Sequence, residues 1–297
     1  MLNLKTPLNF KMKFLVTGVT GGLAGLIVKE LLKQGHDVIG TSRSTERAEK
    51  LDFYNQIKFI PYNIYDRAIF DLYTFFGKPD SVIHLAWEKL DDYNNSLHLN
   101  EILDSHKSFV FNLISNGLQN FNGVGTCYEY GLTEGELVEN MQPSPVLPYS
   151  KAKNNLREYI EHIKNDYEIS VKWIRVFYVF GEIKGRKNLY THLMTAVSNQ
   201  EKTFNMSGGE QVRDFLTPLE VAEKIVQISI QTKIQGIINC CSGKPVKLKD
   251  FILDFLERGK YKIDLNLGYF PYLAYEPMKS WGSLFKLNSI MKNNLNN

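Results

Sequence analysis

Tyr149 and Lys153 are the pair of residues whose types and spacing most directly suggest proton-transfer chemistry. They stand four positions apart just after Pro148, and on a helix this spacing places both side chains on one face. An ammonium near a phenol favours the ionised phenol, so we expect Lys153 to lower the pKa of Tyr149 toward a value suited to acid–base catalysis. The spacing alone is equally consistent with an exposed Tyr and Lys on the surface of a helix that has no catalytic role.

Thr126 is a second candidate, because it ends a predicted strand at 121–126 and is the second residue of the segment Gly125–Gly131 (GTCYEYG). The carboxyl ends of parallel strands form the ligand crevice of a doubly wound sheet. The Thr126 hydroxyl could therefore bond a substrate oxygen beside Tyr149, although a hydroxyl at a strand end more often has a local backbone partner.

A glycine-rich turn, Thr17–Gly25 (TGVTGGLAG), lies between a predicted strand and a predicted helix. A dinucleotide pyrophosphate requires a turn without obstructing Cβ atoms that opens onto helix N-terminal N–H groups. Gly18 and Gly21 would allow that approach. Such turns also simply end strands, but the position inside a βαβ unit favours dinucleotide binding.

The second predicted strand ends in Ser42, Arg43 and Ser44, with no acidic residue. NAD-selective sites usually present an acid there to the ribose 2′-hydroxyl, whereas an arginine accommodates a 2′-phosphate. The sequence therefore predicts NADP(H) as cofactor. The alternative is a solvated turn, in which Arg and Ser are also common.

The elements that must position these residues alternate along the first 180 residues. Strands are predicted at 13–17, 37–40, 57–62, 81–85, 121–126 and 170–179, with helices at 23–32, 68–76, 97–118 and 149–163 between them. This alternation predicts an α/β fold, a doubly wound parallel sheet (Rossmann) with a smaller C-terminal substrate-binding lobe. We expect residues 1–180 to form the NADP(H)-binding domain, with 215–243 returning to it as a helix and a strand. Residues 181–214 and 244–297 should form the smaller substrate-binding lobe.

Composition excludes several classes of protein. The 297 residues carry 35 basic and 32 acidic side chains, a net charge of +3, which does not indicate nucleic acid or a membrane surface as the main partner. The three cysteines, Cys127, Cys240 and Cys241, have no metal-ligand spacing, so no metal is expected. No apolar run reaches the length of a membrane span. We expect a cytoplasmic protein whose first residues, before an alternative start at Met12, form a loose extension.

Taken together, these motifs resemble the extended short-chain dehydrogenase/reductases, in the branch of nucleotide-sugar epimerases, dehydratases and reductases. The matching pieces occur in the family's order from residue 13 to about 245. They are TGVTGGLAG, Val82–Trp87 (VIHLAW), Asn100 at the head of its helix, GTCYEYG, Tyr149–Lys153 (YSKAK), Arg175–Gly181 (RVFYVFG), Gln211–Phe215 (QVRDF) and Asn239–Gly243 (NCCSG).

The resemblance implies a catalytic triad. Tyr149 would be the general acid/base, Thr126 would polarise the carbonyl, and Lys153 would bind the nicotinamide ribose and tune Tyr149. The cofactor-binding residues that it implies are Gly18, Thr20, Gly21, Gly22, Leu23, Ser42, Arg43, Ser44, Asn63, Ile64, Leu85, Ala86, Trp87, Asn100, Tyr149, Lys153 and Tyr178. The substrate-binding residues that it implies are Trp87, Thr126, Cys127, Tyr128, Asn188 and Arg213.

The sequence departs from the family's pattern at several positions. Ala24 replaces the third glycine, Asn63 stands where an adenine-contacting Asp is usual, and Trp87 replaces a small residue and narrows the expected pocket. Tyr178 replaces an Asn that is frequent in epimerases. Cys127 and Tyr128 stand where 4,6-dehydratases carry an Asp–Glu pair, which disfavours dehydration.

The activity implied is the NADPH-dependent 4-keto reduction of a nucleotide-diphosphate 4-keto-6-deoxysugar, with dTDP favoured, as in the bacterial dTDP-4-keto-6-deoxyglucose reductases and CDP-abequose synthases of surface-polysaccharide and lipopolysaccharide O-antigen biosynthesis. The alternatives are a nucleotide-sugar 4-epimerase with tightly bound NAD, a non-catalytic NADP-sensing regulator on the same fold, and a reductase of a small ketone. The resemblance also implies a homodimer in which the helices at 97–118 and 149–163 of two subunits form a four-helix bundle.

Overall fold

The structure, a computed structural model, describes residues 11–295, so the predicted N-terminal extension lies largely outside the described residues. Its strands are β1 Lys13–Thr17, β2 Asp37–Thr41, β3 Lys58–Phe59, β4 Ser81–His84, β5 Asn120–Thr126, β6 Gly135–Leu137, β7 Ser170–Val176, β8 Tyr178–Val179, β9 Thr203–Asn205, β10 Val212–Leu216, β11 Gly236–Cys240, β12 Pro245–Lys247, β13 Asp264–Asn266 and β14 Ser280–Gly282. Its helices are α1 Gly22–Lys33, α2 Thr45–Glu49, α3 Leu72–Phe75, α4 Glu101–Ser115, α5 Pro148–Ile163, α6 Leu189–Ser198, α7 Pro218–Ile230, α8 Leu248–Gly259 and α9 Phe285–Leu295.

The central sheet has seven strands in the order β11-β7-β5-β4-β1-β2-β3, and every neighbouring pair is parallel. Because parallel strands need crossover connections, helices cover both faces and the strands read as apolar runs rather than alternating ones. The chain order reverses at β1 and β4, where a crevice opens at the carboxyl ends of the strands. The predicted doubly wound α/β fold is confirmed.

Two apolar clusters fill the faces of this sheet. One face packs against α1, α7 and α9, with Ile27, Ile225 and Ile290 fully buried. The other packs against α4 and α5, with Val110 and Leu156 fully buried. Burial of side chains such as these supplies most of the stability that holds the strand ends in place.

A third apolar cluster joins α6, α8 and neighbouring strands, and Leu193 and Ile252 are its fully buried members. The structure divides the C-terminal residues differently from the predicted boundary at 244. The strand β14 pairs with β6, and α9 buries Leu287 in the cluster of α1 and α7. The last helix therefore packs on the main sheet, because its apolar side chains cover the face beside β11.

Three predicted elements are shorter than expected. The helix predicted at 68–76 begins only at Leu72, where the Asp71 carboxylate accepts from the Thr74 N–H and caps the helix; Ile69 is 99% exposed and has no core to face. The single helix predicted at 97–118 is divided into a 3-10 turn, Ser96–Leu99, and the helix α4. The backbone at Asn100, between them, is not helical (φ −110°, ψ −104°). The strand predicted at 57–62 is reduced to two residues at the sheet edge.

Residues 11–295 contain neither a membrane-spanning helix nor a cluster of metal ligands. None of their helices has the length and the apolar character that a bilayer crossing requires. In the same part of the chain, no three His, Cys, Asp or Glu side chains are grouped so that they could hold a metal ion.

Candidate active site

A cavity of about 530 Å³ lies at the carboxyl ends of the central strands, a size typical of cofactor and substrate sites. It extends from the glycine-rich turn after β1 to the beginning of α5. Most of the predicted site residues line it: Gly18, Thr20, Gly21, Leu23, Ser42, Arg43, Ser44, Asn63, Ile64, Leu85, Ala86, Trp87, Thr126, Cys127, Tyr128, Tyr149, Lys153, Tyr178 and Asn188.

The glycine-rich turn has the shape that a pyrophosphate requires. Gly18 has φ +69°, and a Cβ there would lie 3.0 Å from the Cα of Ala86, so only glycine fits. The residue before α1 is Gly21, which makes no side-chain cap hydrogen bond. The first N–H groups of α1 are therefore open to an anion, and the helix dipole favours one there.

The end of β2 carries more cationic character than the sequence indicated, since Arg47 lines the cavity together with Arg43. Ser44 caps α2 by accepting from the Arg47 N–H at 3.1 Å, and the buried Ser42 hydroxyl has no partner among the described residues. Arg43 forms an ion pair with Glu88, which follows β4, and its guanidinium lies 5.9 Å from the Tyr65 ring centroid. An acid therefore faces this end of the cavity, but from β4 rather than from β2.

The three candidate catalytic side chains come together where β5 meets α5. Pro148 is the first residue of α5, where its fixed φ suits a helix and its missing N–H is not needed. This start directs Tyr149 and Lys153 into the cavity, with the Lys153 Nζ 6.0 Å from the Tyr149 ring centroid and 3.0 Å from the Val124 carbonyl oxygen to which it donates. Thr126 ends β5, and its Oγ1 accepts weakly from the Tyr128 N–H at 3.3 Å.

The electrostatics of this pair differ from the sequence prediction. Burial, with the neighbouring Tyr93, raises the pKa of Tyr149 well above its ordinary value. Burial also lowers the pKa of Lys153, to about 7. The expected lowering of the Tyr149 pKa by Lys153 was therefore wrong for this form of the protein, because burial of the phenol is the largest influence on its pKa.

Tyr149 is only 9% exposed because Tyr93 covers it. The two rings are stacked with centroids 4.7 Å apart, and the Tyr149 N–H donates to the Tyr93 carbonyl oxygen. The Tyr93 hydroxyl accepts from Arg186 at 3.0 Å. The segments after β4 and after β8 therefore meet above the phenol.

The substrate-side residues surround the same end of the cavity. The Tyr128 hydroxyl donates to Glu276 at 2.7 Å, and its ring lies edge-on to Tyr178. The Asn188 side chain caps α6 by accepting from the Thr191 N–H. The side chain of Tyr128 is thus held by Glu276 near the C-terminus, and Tyr178 packs against it.

Three predicted site residues do not line the cavity. A Cβ on Gly22 would meet the backbone of Lys184, so this glycine permits a close loop–helix contact. Asn100 is exposed at the break before α4. Arg213 is 3% exposed and donates to Glu276 at 2.8 Å, below the Tyr178 ring, so its charge is already paired.

Sequence reasoning missed several residues that line the cavity: Arg47, Tyr62, Tyr65, Glu88, Leu90, Tyr93, His106, Ile183 and Arg186. Arg47 carried a usable signal, since it lies one turn beyond the Arg43 strand end. Tyr93 and Arg186 lie in polar segments without periodicity, and only the folded chain brings them together.

Comparison with known proteins identifies the family. Residues 14–241 match the family described as the NAD dependent epimerase/dehydratase family. A dTDP-6-deoxy-L-talose 4-dehydrogenase (NAD(+)) of Aggregatibacter actinomycetemcomitans is 28% identical, over 92% of this chain and 100% of its own length. A GDP-6-deoxy-D-talose 4-dehydrogenase of the same organism is 28% identical over 56% of this chain and 57% of its own length.

Solved structures share the fold at lower identity. A UDP-N-acetylglucosamine 4-epimerase from Methanobrevibacter ruminantium superposes with a TM-score of 0.82 and 21% identity, over 94% of this chain and 92% of that one. A UDP-glucuronic acid 4-epimerase from Bacillus cereus, solved in complex with UDP-glucuronic acid and NAD, superposes with a TM-score of 0.77 and 21% identity, over 95% of this chain and 93% of that one. With the family match covering most of its length, the chain belongs to the NAD-dependent epimerase/dehydratase family.

Proposed function

We propose that this protein reduces the 4-keto group of a nucleotide-diphosphate 4-keto-6-deoxysugar with NADPH. The observation that carries the proposal is the buried phenol of Tyr149, which lines the cavity beside Lys153 and Thr126. Its raised pKa keeps it protonated near neutral pH. A protonated phenol suits reduction, in which the sugar oxygen gains a proton, better than oxidation, in which it loses one.

In this mechanism each of the three side chains has a separate task. The Thr126 hydroxyl orients the carbonyl oxygen, and the Tyr149 hydroxyl donates its proton to that oxygen. The Lys153 ammonium stabilises the phenolate that remains. A nicotinamide cofactor, when bound, would supply the hydride to C4, so that one hydride and one proton would convert the ketone to an alcohol.

The relatives support chemistry at C4. Two of them, each 28% identical to this chain, are by name 4-dehydrogenases of nucleotide-linked 6-deoxytaloses. A 4-dehydrogenase interconverts a C4 hydroxyl and a C4 ketone, which is the proposed reaction in either direction. The first carries a dTDP-sugar in its name, which supports dTDP as the nucleotide.

The preference for NADPH is proposed from the end of β2. Arg43 and Arg47 line the cavity there together with the unpartnered Ser42 hydroxyl. A 2′-phosphate would compete with Glu88 for Arg43, since the two are paired in this structure. The relative with NAD(+) in its name makes NAD the alternative cofactor.

We also propose Arg186, rather than Arg213, as the main contact for the substrate diphosphate. Arg186 lines the cavity and donates to the Tyr93 hydroxyl. The Arg213 guanidinium is paired with Glu276 and lies outside the cavity lining. A guanidinium without a carboxylate partner has more to gain from a diphosphate.

A nucleotide-sugar 4-epimerase is the second candidate, because the solved structures with this fold include 4-epimerases. The two activities differ in stoichiometry. The purified protein is mixed with a dTDP-4-keto-6-deoxysugar and NADPH, and separately with dTDP- and UDP-hexoses without added cofactor. Oxidation of one NADPH per sugar reduced supports the reductase, and interconversion of hexoses without net cofactor consumption supports the epimerase.

The homodimer remains a proposal. The helices α4 and α5 pack side by side on one face of the sheet, and Phe111 on α4 is 40% exposed. We propose that this face meets its copy in a second subunit. A solution mass of one subunit at working concentration would contradict the dimer, and Phe111→Glu should weaken a dimer that does form.

A further inference from the structure

Trp87, three residues after the end of β4, makes a contact with Lys153 that its position in the family's pattern did not indicate. The Nζ of Lys153 lies 3.9 Å from the centroid of the Trp87 ring. We propose that Trp87 is a positioning residue, whose π face holds the Lys153 ammonium in the place where it supports Tyr149. The effect of this contact on catalysis rests on the proposed function, whereas the contact itself does not.

The ammonium of Lys153 has few other partners. Among the described residues, its one hydrogen bond goes to the Val124 carbonyl oxygen. A buried ammonium without a carboxylate in contact needs another favourable interaction, and an indole face is the strongest aromatic partner for a cation. The interaction is worth more here than at a surface, because both groups are shielded from water.

The indole of Trp87 is itself fixed from two sides. Its Nε1 donates to the Nδ1 of His98 at 3.1 Å, and the other ring nitrogen of His98 bonds the Asp92 carbonyl oxygen at 3.0 Å. The His106 imidazole is stacked on the indole with centroids 4.4 Å apart and planes within 15°. These contacts leave the indole little freedom to turn away from Lys153.

A hydrogen-bond chain sets the tautomer of His106. The Thr17 Oγ1 accepts from the N–H groups of Leu85 and Ala86, so it donates its own proton to the Nδ1 of His84. The Nε2 of His84 must then carry a proton and donate to the Nδ1 of His106 at 2.8 Å. His106 is therefore the Nε2–H tautomer of a neutral imidazole.

Neutrality of these histidines matters because a second cation against the indole would repel Lys153. Burial lowers the pKa of His84 to about 3 and holds that of His106 well below its ordinary value. Burial also lowers the pKa of His98. All three rings are thus uncharged at neutral pH.

The remaining charged and titratable groups around Lys153 are few. Glu129 attracts the ammonium through space, but its carboxylate is already bound to Arg175. Tyr149 lies one turn away on the same helix and is neutral. The indole face is therefore the contact whose strength can be changed without altering the charge of any neighbour.

The test replaces Trp87 alone with mono-, di- and tetrafluorinated tryptophan, which withdraw electron density from the ring with little change of shape. The readout is the pH titration of the Lys153 ¹³Cε resonance in the protein without cofactor or substrate, assigned from its loss in Lys153→Met. The same fluorinated residues at Trp281, in β14, are the matched control.

We expect the Lys153 titration to move to lower pH with each added fluorine, by about one pH unit in total, because a weaker π face favours the neutral amine. The Trp281 series should leave it in place. A Lys153 titration that does not respond to fluorination of Trp87 would overturn the inference.

The same variants separate this inference from the proposed function. If the Lys153 titration shifts but no 4-keto sugar nucleotide is reduced by any form, the positioning contact stands and the reductase proposal fails. If reduction occurs, kcat/KM should decline as pH rises and Lys153 loses its proton, and the midpoint of that decline should move to lower pH with each added fluorine. The Trp281 series should have the same pH profile as the unmodified protein.

Discussion

The Nε of Arg175 donates to a carboxylate oxygen of Glu129 at 2.8 Å, and neither side chain has any solvent exposure. The other Glu129 oxygen accepts the Thr126 N–H at 2.9 Å, and the Trp173 indole N–H donates to the same carboxylate. This buried ion pair connects the turn after β5, at 127–130, to β7, so the backbone of Thr126 is fixed by groups outside the cavity.

Removal of one partner of this ion pair should be costly. Glu129→Ala leaves the Arg175 guanidinium buried without a counterion, and we expect a loss of about 3–5 kcal/mol in the free energy of unfolding. Chemical denaturation measures it. Glu136→Ala, on the exposed part of β6, is the control and should have little effect; an equally stable Glu129→Ala protein would contradict this assignment.

Arg43 should determine the choice between the two nicotinamide cofactors. Arg43→Ala removes the guanidinium proposed to bind the 2′-phosphate, so kcat/KM for NADPH should fall by about tenfold or more while that for NADH changes little. Steady-state kinetics with both cofactors gives the ratio. Arg258→Ala, at an exposed site on α8, is the control, and equal losses with both cofactors would argue against 2′-phosphate recognition.

Glu88 should oppose that recognition, since it holds Arg43 in the ion pair. Glu88→Gln frees the guanidinium and removes a negative charge from the cavity, so the Kd for NADPH should decrease relative to that for NADH. Calorimetric titration of both cofactors measures the change. If Glu88→Gln instead weakens NADH alone, Glu88 binds the ribose hydroxyls and the protein uses NAD.

Arg186 should act on the substrate rather than on the cofactor. Arg186→Met keeps the length of the side chain but removes the diphosphate contact, and we expect KM for the sugar nucleotide to rise by about tenfold or more. Lys187→Met changes the exposed neighbouring cation and should have a much smaller effect. A rise confined to the cofactor KM would reassign Arg186 to the pyrophosphate.

The buried Lys153 should make the stability of the protein depend on pH. Its pKa falls from 10.5 to about 7 on folding, so the unfolded chain binds more protons between these values and stability rises with pH there. Lys153→Met lacks this contribution. Its stability relative to the unmodified protein should therefore fall by about 1.4 kcal/mol per pH unit across that range. A difference that is constant with pH would show that Lys153 has an ordinary pKa.

The sequence predicted the fold because its pattern is local. Apolar runs for β1 and β4, helical spacing in α1 and a glycine turn between them identify a βαβ unit without knowledge of any distant contact. The same logic located Tyr149 and Lys153, since both belong to one helix whose start is marked by Pro148.

Contacts between distant residues could not be predicted in this way. Arg213 and Glu276 are 63 positions apart, and Arg186 and Tyr93 are 93 apart. No periodic pattern in the sequence marks either pair. Yet these contacts determine which arginine has no carboxylate partner and can bind an anion. The expected pKa of Tyr149 was wrong for the same reason, because the cover by Tyr93 arises only when the chain folds.

The phenolic proton of Tyr149 is the centre of the account, and Tyr149→Phe removes it while the ring can still stack on Tyr93. The decisive measurement is single-turnover oxidation of NADPH by a dTDP-4-keto-6-deoxysugar, with cofactor binding measured in parallel. We predict that the variant binds NADPH as tightly as the unmodified protein but turns over at least about a hundredfold more slowly. Turnover at the unmodified rate would contradict the assignment of Tyr149 as the proton donor.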